Sequence, residues 1–261
     1  MLRGLWLYRN FVLSSIHNEF VSRFVRSKIG GVWAIIHPLA QVVMYALVLS
    51  NLLAAKIPQV NSSYAYALYL MAGMLSWNLF VEIVTRCLTL FIDKSNLIKK
   101  IKFPRITLPV IVVGSSLFNG GLLFISILFV FFLMGHVANL NALYIIPILL
   151  VTAVFATGIG LFLGIINVFV RDVGQVTPII LQFLFFGTPI IYPISIIPEN
   201  IAYYLHFNPM YYIVEACHQV LLYGEAPNFL HIGAVLLFSI MFAIFSLVLF
   251  RKASSDIVDA L

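Results

Sequence analysis

Charge is the scarcest thing in this chain. Asp, Glu, Lys and Arg make up only 9% of its 261 residues, against about 25% in an ordinary soluble domain. That excludes a water-soluble fold with a solvated charged surface. Cysteine is almost absent as well: Cys87 and Cys217 are the only two. They form no C-x-x-C pair, so they give neither a disulfide framework nor a redox or zinc motif. The usual catalytic signatures are missing too. There is no G-x-x-x-x-G-K-[ST] phosphate loop, no H-E-x-x-H and no G-x-S-x-G, so nothing in the chain cradles a nucleotide in the P-loop manner. A cleavable leader is not expected either. Arg3, Arg9, Arg23, Arg26 and Lys28 interrupt the first 28 residues, leaving no apolar core of leader length.

What the chain does have is apolar length, with 62% apolar residues. A helix needs roughly 20 such residues to cross about 30 Å of hydrocarbon. Six segments qualify, at about 29–55, 64–92, 106–134, 143–170, 173–196 and 229–250. From Ile106 to Val170 there is no charged residue, a run too long for one crossing. Gly135-His136, Asn139 and Asn141 supply the turn that divides it. The expected fold class is an all-α integral membrane protein of one domain, 1–261, with six spans.

Cations assign the sides, because Lys and Arg collect in cytoplasmic loops. Five precede the first span. Lys94, Lys99, Lys100, Lys102 and Arg105 lie between the second and third. Arg171 separates the fourth and fifth, and Arg251 and Lys252 follow the sixth. The opposite loops hold only Lys56. Both termini are therefore expected in the cytoplasm. The net charge of +6 follows from this bias and does not call for nucleic acid. Two pieces do not span. Residues 1–28 read as an interfacial helix with Leu5, Val12, Ile16, Phe20 and Phe24 on its apolar face. Residues 198–226 read as an external pair of short helices, aromatic and broken at Asn208-Pro209.

Within the spans, Glu82 and Arg86 stand out. Ionisable groups are costly in a membrane and tend to face the bundle interior. Four residues apart, they can pair along one helix face, which Asn78 and Thr89 extend. This face reads either as a neutralised packing contact or as the wall of a polar pathway. Gly160-x-x-x-Gly164, with Gly158 nearby, and Ser116-x-x-x-Gly120 read as close helix contacts. Glu215 and His218 share a helix face at metal-ligand spacing, but a lone E-x-x-H is too short a motif to assign a metal, and no metal site is expected. Most of the aromatic residues suit membrane interfaces. An aromatic-lined path for a carbohydrate is the alternative.

The densest cationic stretch, "SNLIKKIKFPRITLP" at 95–109, pairs charge with apolar anchors at Leu97, Ile98 and Ile101 and a Phe103-Pro104 stop. Topology alone accounts for the charges, which would also attract anionic lipid headgroups at about 1 kcal/mol each. The stretch also resembles the coupling-helix region of the permeases of ABC exporters for cell-surface polysaccharides. "FVSRFVRSKIGGVWAIIHPLAQ" resembles that family's arginine-rich entry and first span, with Ile29-Gly30-Gly31-Val32-Trp33 and Pro38 in register; His37 stands where another polar residue, such as Gln, is usual. "RDVGQVTPIILQFLFFGTPIIYP" and "NPMYYIVEACHQVLLYG" resemble its fifth span and external helix pair. The pattern is most similar to the Wzm-type O-antigen export permeases, and capsule and teichoic acid permeases share the family.

The resemblance implies a homodimeric permease in a bacterial inner membrane. It would not itself be an enzyme and would bind no cofactor, while ATP and Mg would sit on two copies of a separate ABC ATPase subunit. It implies that Asn96, Leu97, Ile98, Lys99, Lys100, Phe103, Pro104, Arg23 and Arg26 meet those subunits. A lipid-linked polysaccharide would pass between the two permeases. Candidates for the pathway or gate are Tyr45, Trp77, Asn78, Glu82, Arg86, Phe183, Tyr192, Asn208, Pro209 and Glu215. The competing readings are an exporter of drugs or other polymers, and an ATPase-independent membrane enzyme or channel. The scattered loop carboxylates Asp93, Asp172, Glu199 and Glu225 disfavour a polytopic transferase.

Overall fold

A computed structural model describes residues 8–24, 32–33, 36, 40, 44, 65–100 and 104–260. These are helical almost throughout: α1 (Arg9–Phe24), α2 (Ala65–Asp93), α3 (Ser95–Lys100), α4 (Thr107–Leu133), α5 (Ile145–Phe169), α6 (Asp172–Phe186), α7 (Glu199–Leu205), α8 (Pro209–Leu221) and α9 (Phe229–Ala260). Among the described residues, four stretches are long and apolar enough to cross a membrane: Ala65–Asp93, Thr107–Leu133, Leu140–Phe169 and Phe229–Ser254. Apart from the isolated positions above, the expected first span, 29–55, lies outside the described residues.

Burial sorts the four into inner and outer helices. The most apolar part of α2 is 78% buried and that of α5 is 67%, whereas α4 and α9 bury 28% and 17%. The two inner helices meet through glycine. A Cβ on Gly164 would stand 2.3 Å from the Cys87 carbonyl oxygen, and one on Gly160 would stand 2.7 Å from Cys87 Cβ. Neither position has room for a side chain, so backbone lies against backbone, the close approach that small residues permit in membranes. Gly158 does the same for α9: its Cβ would lie 3.1 Å from Ala243 N, and its own carbonyl accepts Ser246 Oγ at 2.8 Å. Ser116-x-x-x-Gly120 makes a looser contact, with Leu79 3.5 Å from the Gly120 Cβ position.

Two expectations change. The fifth segment, read as a span over 173–196, is helical only over Asp172–Phe186, 15 residues. At 1.5 Å per residue that is about 22 Å, short of a crossing. Pro189 supplies no backbone donor and disfavours a helical Thr188. The chain turns instead through 187–193. Tyr69 Oη pins this turn from 2.9 Å to both Pro189 O and Tyr192 O, and Tyr66 Oη donates to Ile191 O at 3.0 Å. The last helix, expected to end at 250, continues to Ala260. Its polar extension is held by Arg105, which donates to Ser254 O and, at 2.6 Å, to Ser254 Oγ, and by Phe250 stacked on Phe91. The short amphipathic helix expected in the 94–105 loop is described over Ser95–Lys100. Its Ile98 is buried in the bundle and Leu97 packs half-buried against the core.

At the opposite end, α8 is a packed core element, with Met210, Ile213, Val214 and Cys217 fully buried. Asn208 caps it by accepting from Met210 N at 3.0 Å, and Pro209 occupies the first helical position, where its missing N–H costs nothing. His136 Nε2 reaches Leu221 O at 2.9 Å. Asn139 and Asn141 both donate to Gly224 O, at 2.6 and 2.7 Å. The polar turn after α4 therefore satisfies the carbonyls left over at the end of α8.

His218 of α8 stacks on Tyr69 with ring centroids 3.8 Å apart, and its Nε2 lies 3.1 Å from Tyr69 O. A carbonyl only accepts, so Nε2 carries the proton and the ring is neutral. Gly73 makes the room, since a Cβ there would meet Nε2 at 2.9 Å. Burial pushes the imidazole from 6.5 down to about 3. Between those values the unfolded chain binds the extra proton and the folded chain does not, so stability is complete above about pH 6.5 and falls as pH drops. The limiting slope is about 1.4 kcal/mol per pH unit. Thermal unfolding in detergent should show a lower midpoint at pH 5 than at pH 7.5, and His218→Gln should flatten that difference.

Candidate functional site

The polar centre of the bundle is built around one guanidinium. Arg86, on α2, donates to Glu82 Oε1 at 3.2 Å, Ser115 Oγ at 2.8 Å and Ser116 Oγ at 2.9 Å, and pairs with Glu19 of α1. Asn119 Nδ2 donates to Glu82 Oε1 at 2.9 Å, and Ser115 Oγ donates to Glu19 Oε2 at 3.0 Å. Two carboxylates and two serine hydroxyls thus converge on one cation, and Asn119 joins through Glu82. Arg suits this role because its planar fork serves several acceptors at once. The result ties α1, α2 and α4 together. Ile16 of α1 adds an apolar contact by lying over Gly114 of α4.

Beside this network lies an open cleft of about 530 Å³, bordered by Ser15, Asn18 and Glu19 of α1, Arg86 and Thr89 of α2, and Leu97 of α3. The cleft is where the surface helix α1, the short helix α3 and two long helices meet. Asn96 and Lys99 point outward from α3 and are exposed. A second groove, about 380 Å³, opens between α2 and α6 and includes Trp77, Asn78, Thr85 and Gln182.

The expected site residues separate accordingly. Glu82, Arg86 and Thr89 join the first cleft or its network, but Asn78 faces the second groove, so the stripe read along α2 divides between two neighbours. Trp77 is buried against Phe80 and Phe185, while Phe183 is exposed. Tyr192 Oη donates to Phe186 O at 2.5 Å and Asn208 Nδ2 to Thr188 Oγ1 at 2.8 Å, so both brace the turn after α6. Glu215 is half-buried on α8, and burial raises its carboxyl pKa. His218 turns to Tyr69 and does not join it. Pro104 is half-buried, and its carbonyl accepts both Thr107 N and Thr107 Oγ1 to start α4. Tyr45, Arg26 and Phe103 lie outside the described residues, as do the side chains of Arg23 and Lys100. Sequence reasoning missed Glu19, Ser115, Asn119 and Gln182. For Glu19 a signal existed, since it is the only acid in the first 81 residues.

A family model described as ABC-2 type transporter matches residues 12–222. The chain belongs to that family. This permease is 27% identical over 235 residues to an O-antigen export system permease protein RfbA of Klebsiella pneumoniae, covering 88% of this chain and 86% of the relative. It is 25% identical over 230 residues to the protein of the same name from Myxococcus xanthus, covering 87% and 86%. A polysialic acid transport protein KpsM of Escherichia coli is 20% identical over 238 residues, 89% of each chain. The matched region contains α2 to α8 and most of α1, and so both clefts.

Proposed function

We propose that this chain is the membrane subunit of an ATP-driven exporter that carries a lipid-linked, O-antigen-like polysaccharide from the cytoplasmic to the outer side of a bacterial inner membrane. Two copies form the permease, and two copies of a separate ABC ATPase dock beneath them. The observation that carries this reading is the construction around α3. Ile98 faces inward, Asn96 and Lys99 face outward, and Arg105 ties the next turn to α9. A short helix held this way transmits a push without folding away from it. The cationic stretch 94–105 marks its side as cytoplasmic. Six passages with both termini in the cytoplasm, the fifth made by the short α6 together with the turn 187–193, and the pair α7–α8 at the outer end, complete the proposed topology. Leu97 and Ile98 then anchor the coupling helix, and the contact with the ATPase belongs to Asn96 and Lys99.

Affinity-tagged permease purified from its host should bring down a second chain that contains a phosphate loop. Lys99→Glu should weaken this pairing about tenfold, the equivalent of 1.4 kcal/mol, with no loss of fold because Lys99 is exposed. Recovery of the ATPase at the parent level would remove Lys99 from the contact. Glycan export in a host lacking any ATP-binding partner would sink the whole reading. A capsule polymer is the second substrate reading, favoured by the similarity to polysialic acid transport proteins. Cells deleted for the permease should accumulate the finished lipid-linked polymer on the inner face, and its composition decides between the two.

A further inference from the structure

The groove between α2 and α6 holds a chemical anomaly. Asn78 lies near the middle of α2, 13 residues into a 29-residue apolar helix. Gln182 lies on α6 and borders the same groove, and Gln175 lies seven residues before it on the same face. Seven residues is about 10.5 Å along a helix. Among the described residues neither Asn78 nor the exposed Gln182 makes a hydrogen bond, in contrast to Asn119, Asn167 and Asn208, which all do; Gln175 makes none either, but it stands exposed in the first turn of α6, beside Arg171 and Asp172. An amide left unpartnered in hydrocarbon costs several kcal/mol. This face of α6 therefore does not look onto lipid, although its neighbours Ile179, Ile180 and Phe183 are apolar and exposed.

The groove also contains no charged side chain among those that border it. It offers amide donors and acceptors in pairs, the Thr85 hydroxyl, and Trp77 in its floor beside Phe185. Paired amides over an aromatic floor match one kind of ligand, a sugar ring with apolar C–H faces and hydroxyl edges. Charged ligands would find no counter-charge, and a hydrocarbon chain would leave the amides unsatisfied.

We propose that Asn78 and Gln182, with Gln175 at the near end of the same face of α6, form a carboxamide track that hydrogen-bonds the sugar hydroxyls of an uncharged stretch of glycan in transit. The proposal rests on the export reading above and adds where the sugar is held. Each amide exchanges partners readily, because a carboxamide both donates and accepts, which suits a polymer that must slide past.

The test uses the full permease with its ATPase in its own host, following the metabolically radiolabelled lipid-linked polymer to the cell surface. Asn78→Leu and Gln182→Leu should each slow export about fivefold, the worth of one net hydrogen bond, and the double variant more. Both should fold at least as well as the parent, because leucine relieves an unpartnered amide. Gln182→Cys should react with a membrane-impermeant thiol reagent far faster than Ile180→Cys, against the background of buried Cys87 and Cys217. Export at the parent rate in the double variant overturns the track, and so does equal reactivity of the two thiols. Dissociation of the permease dimer in Gln182→Leu also overturns it, because the amides would then be paired across a second copy. Failure of the parent complex to move its host's own lipid-linked polymer is separate: it removes the export reading, and the track with it.

Discussion

Arg86→Leu is expected to lower stability by about 3 kcal/mol, the low end of the cost of breaking a buried ion pair, and to abolish transport. The reason lies in what remains. Glu82 and Glu19 would face each other without their cation, and Ser115 and Ser116 would lose a donor. Two carboxylates deprived of one shared cation repel and must be solvated or protonated, and α1 loses its polar tie to the long helices. Arg86→Lys should rescue only partly, because one ammonium cannot reproduce the fork that spans α1, α2 and α4. Glu82→Gln should be milder, since Asn119 and Arg86 both still find an oxygen there. Thermal unfolding of the detergent-purified protein ranks the three. A midpoint for Arg86→Leu equal to the parent's would show that the network carries no load.

Gly164→Val should be as damaging, for a steric reason. Its Cβ would enter within 2.3 Å of the Cys87 carbonyl oxygen, which is backbone and cannot rotate aside. Helices α2 and α5 must separate along the whole contact, giving up packing on both sides. A loss of about 3 kcal/mol or more is expected, at the top of the overpacking range, and little monodisperse protein should elute on size exclusion. Gly121→Ala is the matched control. No atom lies within 4 Å of its Cβ position, so alanine should be neutral or stabilise by about 0.5–1 kcal/mol through helix propensity.

The long apolar helices were legible in the sequence because nothing else competes with hydropathy inside them. Residues 64–92 and 106–134 were read within a residue or two of α2 and α4 for that reason. The reading failed where two signals conflict. At 187–193 hydropathy argued for a span, while Gly187, Pro189 and Pro193 argued against one, and the prolines won. Beyond 250 polarity argued for an end, but Ala253 and Ser254 are compatible with helix and Arg105 holds them there. The site divides in the same way. The Glu82–Arg86 pair is local and was visible. Its partners Glu19 and Ser115 lie 67 and 29 residues from Arg86, and no periodicity reports such distances. Leu97 and Ile98 were visible as apolar, but sequence alone does not say which neighbour an apolar residue seeks.

The depth at which Arg86 and Glu82 sit also bears on how the chain is made. Of the four long helices, α2 is the least apolar and the most enclosed. Charged residues within a span raise its cost of insertion, so α2 alone is a poor substrate for lateral release into lipid. Glu19 of α1 precedes it, but the other groups that quench its charges, Ser115, Ser116 and Asn119, emerge from the ribosome only after it, on α4. The two helices are therefore best released as a hairpin, with α2 retained at the insertion machinery until α4 arrives.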